Sequence, residues 1–125
     1  MAKRILIVDD EELIRKSLCK LFYLKGYIPT AVKSGEEAVR EVNSSDYDLI
    51  ICDVRMAKFD GIDTIKHIRS YLKKTGKKAV PEILMTGYAD ADKYQQAQKL
   101  KVAKYLHKPF DTEKLLQAIE RILRD

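Results

Sequence analysis

At 125 residues, with 46% hydrophobic and 34% charged residues, the chain has the composition of one soluble domain (1–125) and is too apolar for a disordered one. A domain of that size buries roughly two-thirds of its unfolded surface, which suffices for a core. Its apolar stretches run only a few residues, which excludes a membrane span and a secretory h-region and predicts a cytoplasmic protein. Lys and Arg number 24 against 19 Asp and Glu, and part of the +5 excess lies in KKTGKK at 73–78, read as a solvated loop. That excess suits an acidic protein partner better than nucleic acid, because no recognition motif accompanies it.

Apolar runs and amphipathic segments alternate five times along the chain. Ile5 to Val8 is a continuous aliphatic run and predicts a strand buried on both faces. Ile14, Leu18, Leu21 and Phe22 then recur at helical spacing, and Gly26 ends that helix. Ile28 to Val32 predicts a second, weaker strand, and Ser34 with Glu37 forms a capping-box pattern ahead of Ala38, Val39 and Val42. Leu49 to Cys52 is another fully apolar strand. Ile62, Ile65, Ile68 and Leu72 make the third helical stripe, starting near Asp60 and Gly61.

Ile83 to Met85 and Tyr105 to Leu106 predict weaker strands near or at a sheet edge. Between them a fourth helix over residues 90–100 offers only Ala91, Tyr94, Ala97 and Leu100 to a core, so it is expected to be the least firmly held element. Asp111 caps a last helix carrying Leu115, Leu116, Ile119, Ile122 and Leu123. Five strand–helix units imply an α/β fold, a doubly wound parallel sheet with helices on both faces. Cys19 and Cys52 lack metal-ligand spacing and read as reduced thiols filling space. His67 and His107 have no matching ligand partner and read as structural.

The polar residues that close these strands carry the chemistry. Asp9 and Asp10 follow the first strand, and Asp53 closes the third. If those strands are neighbours, about 4.8 Å apart, the three carboxylates converge within several ångströms. Carboxylates that close raise one another's pKa unless a cation intervenes, and magnesium suits an all-oxygen set that leaves room for water and phosphate. Asp10 alone would also serve as a helix cap, but a single acid suffices for that, and the sequence there reads DDEE. Asp53 has no helix directly after it and is a candidate nucleophile. Thr86 ends the fourth strand and can donate its hydroxyl to a phosphoryl oxygen. Lys108, after the fifth, can pair with another.

The segments ILIVDDE, DVRMAKFDG, ILMTGYAD and YLHKPFD together resemble the receiver domain of two-component response regulators, the CheY-like family, across nearly the whole chain. The resemblance implies a flavodoxin-like (βα)5 sheet of order 2-1-3-4-5 and a cis bond before Pro109. It implies Asp53 as phosphoacceptor, Asp10 and Asp53 as direct Mg2+ ligands, Asp9 acting through water, and the Arg55 backbone carbonyl completing the set. Thr86 and Lys108 become phosphoryl contacts, and Tyr105 the switch aromatic. Arg55 and Tyr88, two residues beyond Asp53 and Thr86, are expected to flank the phosphoryl group and slow its loss to water. Alanine stands at 57 where the family usually has proline, and lysine at 101 where it usually has glycine. The first is expected to loosen the loop after Asp53. The second leaves the path into the fifth strand open.

The implied activity is Mg2+-dependent phosphoryl transfer to Asp53 from a phosphohistidine of a histidine kinase or histidine phosphotransfer protein. The protein would act as a signalling switch rather than a turnover enzyme. The face made by the fourth helix, fifth strand and fifth helix, with Lys93, Lys99, Lys101 and Lys104, would then meet a downstream output domain or protein. No direct nucleic-acid or membrane binding is expected, and weak homodimerisation stays open. Three rival readings fit the residues less well. A flavodoxin-like cofactor binder needs a hydroxyl- and glycine-rich first loop, where this chain has DDEE. An aspartate-dependent phosphatase needs a second acid to activate water and usually a cap domain. The alternative of an unphosphorylated receiver-like interaction module has no missing reactive residue in its favour.

Overall fold

The computed structural model describes residues 2–124, with the side chains of residues 88–90 outside the description. Five strands, β1 (Arg4–Val8), β2 (Ile28–Val32), β3 (Leu49–Asp53), β4 (Glu82–Thr86) and β5 (Lys104–His107), form one sheet. All neighbours are parallel and the order is β2-β1-β3-β4-β5, the expected doubly wound arrangement. Helices α1 (Glu12–Leu24), α2 (Gly35–Ser44), α3 (Gly61–Lys74), α4 (Tyr94–Leu100) and α5 (Thr112–Leu123) fill the connections. None of the described helices is long and apolar enough to cross a membrane.

Alternation along each strand sorts the core into two layers. Leu6, Val8, Ile50, Cys52 and Leu84 pack with Ala38 and Val42 of α2, Ile62, Ile65, Ile68 and Leu72 of α3, and Ala97 and Leu100 of α4. Ile5, Ile7, Leu49, Ile51, Ile83 and Met85 face the other way, onto Leu18 and Phe22 of α1 and Leu115 and Ile119 of α5. The inner strands have to be apolar at every position because both faces are covered. β4 is polar only at its two ends, Thr86 at the site edge and Glu82, whose buried carboxylate accepts two bonds from the Arg69 guanidinium at 2.8 and 2.7 Å.

The helix ends follow from local chemistry. Ser34 Oγ accepts from the Glu37 N–H, while the Glu37 carboxylate accepts from the Lys33 N–H, one residue beyond the Ser34 N–H that a full capping box uses. Gly26 (φ 88) closes α1, with Gly26 N–H donating to Tyr23 and Tyr27 N–H to Phe22. Gly76 (φ 74) closes α3 in the same way, so Lys73 and Lys74 belong to the helix and only the remainder of KKTGKK forms the turn.

The fourth helical segment differs from expectation. Residues Tyr88–Lys93 form a 3-10 segment, and only Tyr94–Leu100 is α-helical. The apolar contribution of α4 is confined to the buried Ala97 and Leu100, too little to organise a longer helix by packing. The residue that ends it, Lys101, takes the left-handed conformation (φ 52, ψ 54), one that glycine adopts freely and a side chain resists. The Lys108–Pro109 bond is cis, as the resemblance implies.

Lys101→Gly relieves that left-handed strain at the cost of a more flexible unfolded chain. The net expectation is a gain of about 0.5–1 kcal/mol, read as a higher urea midpoint at unchanged slope. An unchanged or lower midpoint contradicts it.

Candidate functional site

Register places the site. Val8 pairs with Cys52, so Asp9, one residue on, stands beside Asp53 at the carboxyl edge of the sheet. Thr86 pairs with His107, which sends Lys108 into the loop just past the same edge. Carboxylate oxygens of Asp9, Asp10 and Asp53 come within 4.8 Å of one another. Asp9 has no exposure, Asp53 is buried and Asp10 is exposed, so the cluster opens to solvent on one side.

Lys108 reaches across β4 to this cluster. Its Nζ lies 3.2 Å from Asp9 Oδ2, 3.2 Å from Asp53 Oδ2 and 3.6 Å from Glu11 Oε1. Burial disfavours its charge, but the carboxylates of Asp53 and Asp9 outweigh that and hold its pKa above the usual lysine value. The Asp9 carboxyl is pushed up by burial, which the Glu11 N–H and Lys108 only partly offset. The Asp9 Oδ1–Glu11 N–H bond (2.9 Å) and the Arg15 guanidinium on the Asp9 carbonyl (2.8 Å) fix this residue at the start of α1. The N-cap position of α1 is Glu11, with no side-chain cap, so a capping role for Asp10 is not what the structure shows. Burial drives the Cys52 thiol well above its ordinary pKa, leaving it inert beside the carboxylates.

The loop after Asp53 lies against the sheet edge. Gly61, the first residue of α3, donates to the Val54 carbonyl at 2.8 Å, and a Cβ there would sit 2.2 Å from the Asp53 carbonyl oxygen. Only glycine permits that approach. Ala57 sits in a tight bend in which Phe59 N–H bonds the Ala57 carbonyl (2.7 Å) around Lys58 (φ 64). Phe59 packs over Gly35 and tilts against His67, with ring centroids 4.8 Å apart, an anchor the sequence did not suggest.

Two ion pairs tie this loop to the 3-10 segment. Asp60, the N-cap of α3, accepts from Lys93 Nζ at 2.6 Å, and Arg55 meets Asp92 at 3.0 Å. Lys93 is therefore turned toward α3 and away from the face it was grouped with from sequence. The Arg55 side chain is engaged with Asp92, and the Tyr88 side chain lies outside the described residues. Thr86 is buried, with its hydroxyl 3.4 Å from the Leu106 carbonyl and 3.2 Å from His107 Nδ1. Tyr105 is half-buried, and its hydroxyl donates to the Ala97 carbonyl at 2.5 Å, near the end of α4. The structure thus brings Asp9, Asp10, Asp53 and Lys108 together, and places Thr86 against β5 and Tyr105 against the end of α4. The contacts of Glu11, Arg15 and Asp92, and the pairing of Asp60 with Lys93 and of His107 with Thr86, have no signal in the sequence. Pairing between distant elements leaves no local pattern to read.

A model of the response regulator receiver domain matches residues 5–120. The chain belongs to that family, as a receiver domain of two-component response regulators. Regulatory protein AtoC of Escherichia coli is 35% identical over 121 residues, covering 97% of this chain and 25% of AtoC. The transcriptional regulatory protein PdtaR of Mycobacterium tuberculosis is 35% identical over 119 residues, 94% of this chain and 55% of PdtaR. The receiver domain therefore spans about a quarter and about half of these relatives. Among solved structures, Vibrio cholerae chemotaxis protein CheY4 superposes with a TM-score of 0.85 at 28% identity, covering 98% of this chain and all (100%) of that one. The FixJ N-terminal structure gives 0.82 at 26% identity, over 98% and 94% of the two chains.

The Asp60–Lys93 pair has a signed pH dependence. Burial raises the Asp60 pKa, but the Lys93 and Asp63 hydrogen bonds and the Lys93 charge overcome it and leave the pKa below 3.8. The folded state therefore binds fewer protons than the unfolded one near that pH. The pair's stabilisation is complete above 3.8 and vanishes as pH falls through the folded value. Asp60→Asn keeps a good cap and removes the charge. It is expected to be less stable than wild type at neutral pH, with the difference closing in acid. Urea midpoints that stay equally separated across the range contradict this.

Proposed function

We propose that Asp53 is the phosphoacceptor of this receiver domain, taking a phosphoryl group from a phosphohistidine on a histidine kinase or histidine phosphotransfer protein. The observation that carries the reading is the placement of Lys108 Nζ at 3.2 Å from both Asp9 and Asp53, beside three carboxylates within 4.8 Å. An Asp53 carboxylate oxygen attacks phosphorus, the P–N bond to the donor imidazole breaks, and an acyl phosphate remains on Asp53. In this reading Lys108 follows the charge onto the phosphoryl oxygens, and Thr86 turns to donate its hydroxyl to one of them.

The donor set fits Mg2+. It is all oxygen and clustered, and Asp10 on its exposed side leaves room for water. Asp10, Asp53 and the Arg55 carbonyl would hold the ion, with Asp9 supporting it through water. When bound, Mg2+ neutralises charge that accumulates on the transferring group. The chain's own contribution is to converge the carboxylates, to bury Asp9 and Asp53, and to aim the ammonium at both.

Phosphorylation adds about one negative charge at Asp53 at neutral pH. New charge-assisted hydrogen bonds from Thr86 and Lys108 are worth about 1.5–3 kcal/mol each. Two of them approach the roughly 5.5 kcal/mol that inverts a 1:99 equilibrium. Movement of Thr86 would open space for the Tyr105 ring and change the face of α4, β5 and α5. That face, with Lys99, Lys101 and Lys104, would meet an acidic output domain or protein. The protein would act in the cytoplasm as a switch.

Incubation with acetyl phosphate and Mg2+ is expected to label wild type and not Asp53→Asn, and chelation of the metal is expected to abolish labelling. Label retained on Asp53→Asn overturns the assignment. Arg55→Ala is expected to shorten the life of the acyl phosphate several-fold, because loss of the long side chain opens the approach of water; decay at the wild-type rate rejects shielding.

A further inference from the structure

The Thr86 hydroxyl has a neighbour that the phosphoryl-transfer reading does not require. Thr86 and His107 are register partners on β4 and β5, so their side chains leave the same face of the sheet. His107 Nδ1 lies 3.2 Å from Thr86 Oγ1, and the Leu106 carbonyl oxygen lies at 3.4 Å. Thr86 is buried and His107 exposed, so the imidazole sits over the hydroxyl on its solvent side. Both line a cleft of about 620 Å³ that also has Tyr94 and Ala97 of α4 on its wall.

A hydroxyl has one proton to give. With the neutral ring protonated on Nε2, Thr86 donates to Nδ1. With the proton on Nδ1, the ring donates to Oγ1 and the hydroxyl proton is left to the Leu106 carbonyl. In both tautomers the hydroxyl is engaged with β5. A phosphoryl oxygen on Asp53 must therefore draw the hydroxyl away from a bond to His107, either one in which it donates to Nδ1 or one in which it accepts from the ring while its proton rests on Leu106.

We propose that His107 is a positioning residue that holds the Thr86 hydroxyl against β5 and so sets how readily this receiver domain switches. The proposal rests on the reading of Asp53 as phosphoacceptor and Thr86 as its phosphoryl contact. His107 touches neither the phosphoryl group nor the metal; it acts through Thr86. Removing its nitrogen frees the hydroxyl for the phosphorylated state and raises the fraction of molecules ready to take that state.

The test titrates beryllofluoride with Mg2+ into the whole chain and compares variants. His107→Val, which suits a strand and offers no acceptor, is expected to bind about 2- to 12-fold more tightly than wild type, the equivalent of one neutral hydrogen bond. His107→Asn places an amide where Nδ1 stands and is expected to return binding to the wild-type value. In a Thr86→Ala background, His107→Val is expected to change nothing. Wild-type affinity in His107→Val overturns the proposal. So does Asn behaving like Val, or a Val effect that persists without the Thr86 hydroxyl. Wild type that neither binds beryllofluoride nor takes label from acetyl phosphate overturns the phosphoacceptor reading and this proposal with it. A wild type that does both, with variants that break the pattern, overturns the role of His107 alone.

Discussion

The ammonium of Lys108 between the carboxylates of Asp9 and Asp53 is the contact on which the site depends. Two buried acids at neighbouring strand ends repel each other, and burial makes that repulsion stronger than it is in water. A cation placed 3.2 Å from each offsets it. Desolvation sets the limit on the gain, which is why the Asp9 carboxyl still sits above its ordinary pKa. The result is an anionic crevice with a lysine in it, and its all-oxygen donor set is of the kind that suits a divalent cation.

Topology makes this contact available. The Lys108–Asp9 bond joins residues 99 positions apart, so it forms only when the sheet is assembled from β1 through β5. β5 lies two strands from β3, roughly 10 Å at the usual strand spacing, and a long side chain from the loop beyond β5 is what bridges it. Gly61 serves the same end from another direction. Without a side chain, it lets α3 begin against the Asp53 carbonyl. Strand order, a lysine's reach and one glycine's lack of Cβ are separate demands of the same small volume.

The strands and most helices were legible because their signals are local. Ile5–Val8 and Leu49–Cys52 are apolar at every position, which only a strand covered on both faces requires, and Asp60 and Asp111 mark helix starts by their capping chemistry. Asp9, Asp10, Asp53, Thr86 and Lys108 were legible because each follows or closes such a strand. Residues 88–93 were not, since a 3-10 segment followed by a short helix has the same composition as one weak α-helix. Lys93 was misplaced on the output face because its charge gives no hint of Asp60, 33 residues away. His107 looked structural for a related reason: its partner is defined by register between β4 and β5, which no spacing along the chain reveals.

The same segment is held differently from the other helices. α4 contributes two buried residues to the apolar core, the smaller of them an alanine, whereas α3 contributes three isoleucines and a leucine, so apolar area does little to fix where α4 sits. Polar ties make up the difference: Lys93 to Asp60, Asp92 to Arg55, and the Tyr105 hydroxyl on the Ala97 carbonyl. A helix held by packed side chains moves only at the cost of a cavity, of order several kcal/mol. Polar ties exchange with water at a net cost of about 0.5–1.5 kcal/mol for a neutral hydrogen bond. Two charge-assisted bonds to a phosphoryl group lie within reach of the second cost and not of the first together with it. An element with a well-filled interface in this position would be stabler and could not be moved by one phosphoryl group. The thin apolar contact of α4 leaves its position resting on polar ties rather than on packed area, the kind of element that a modest electrostatic change can shift.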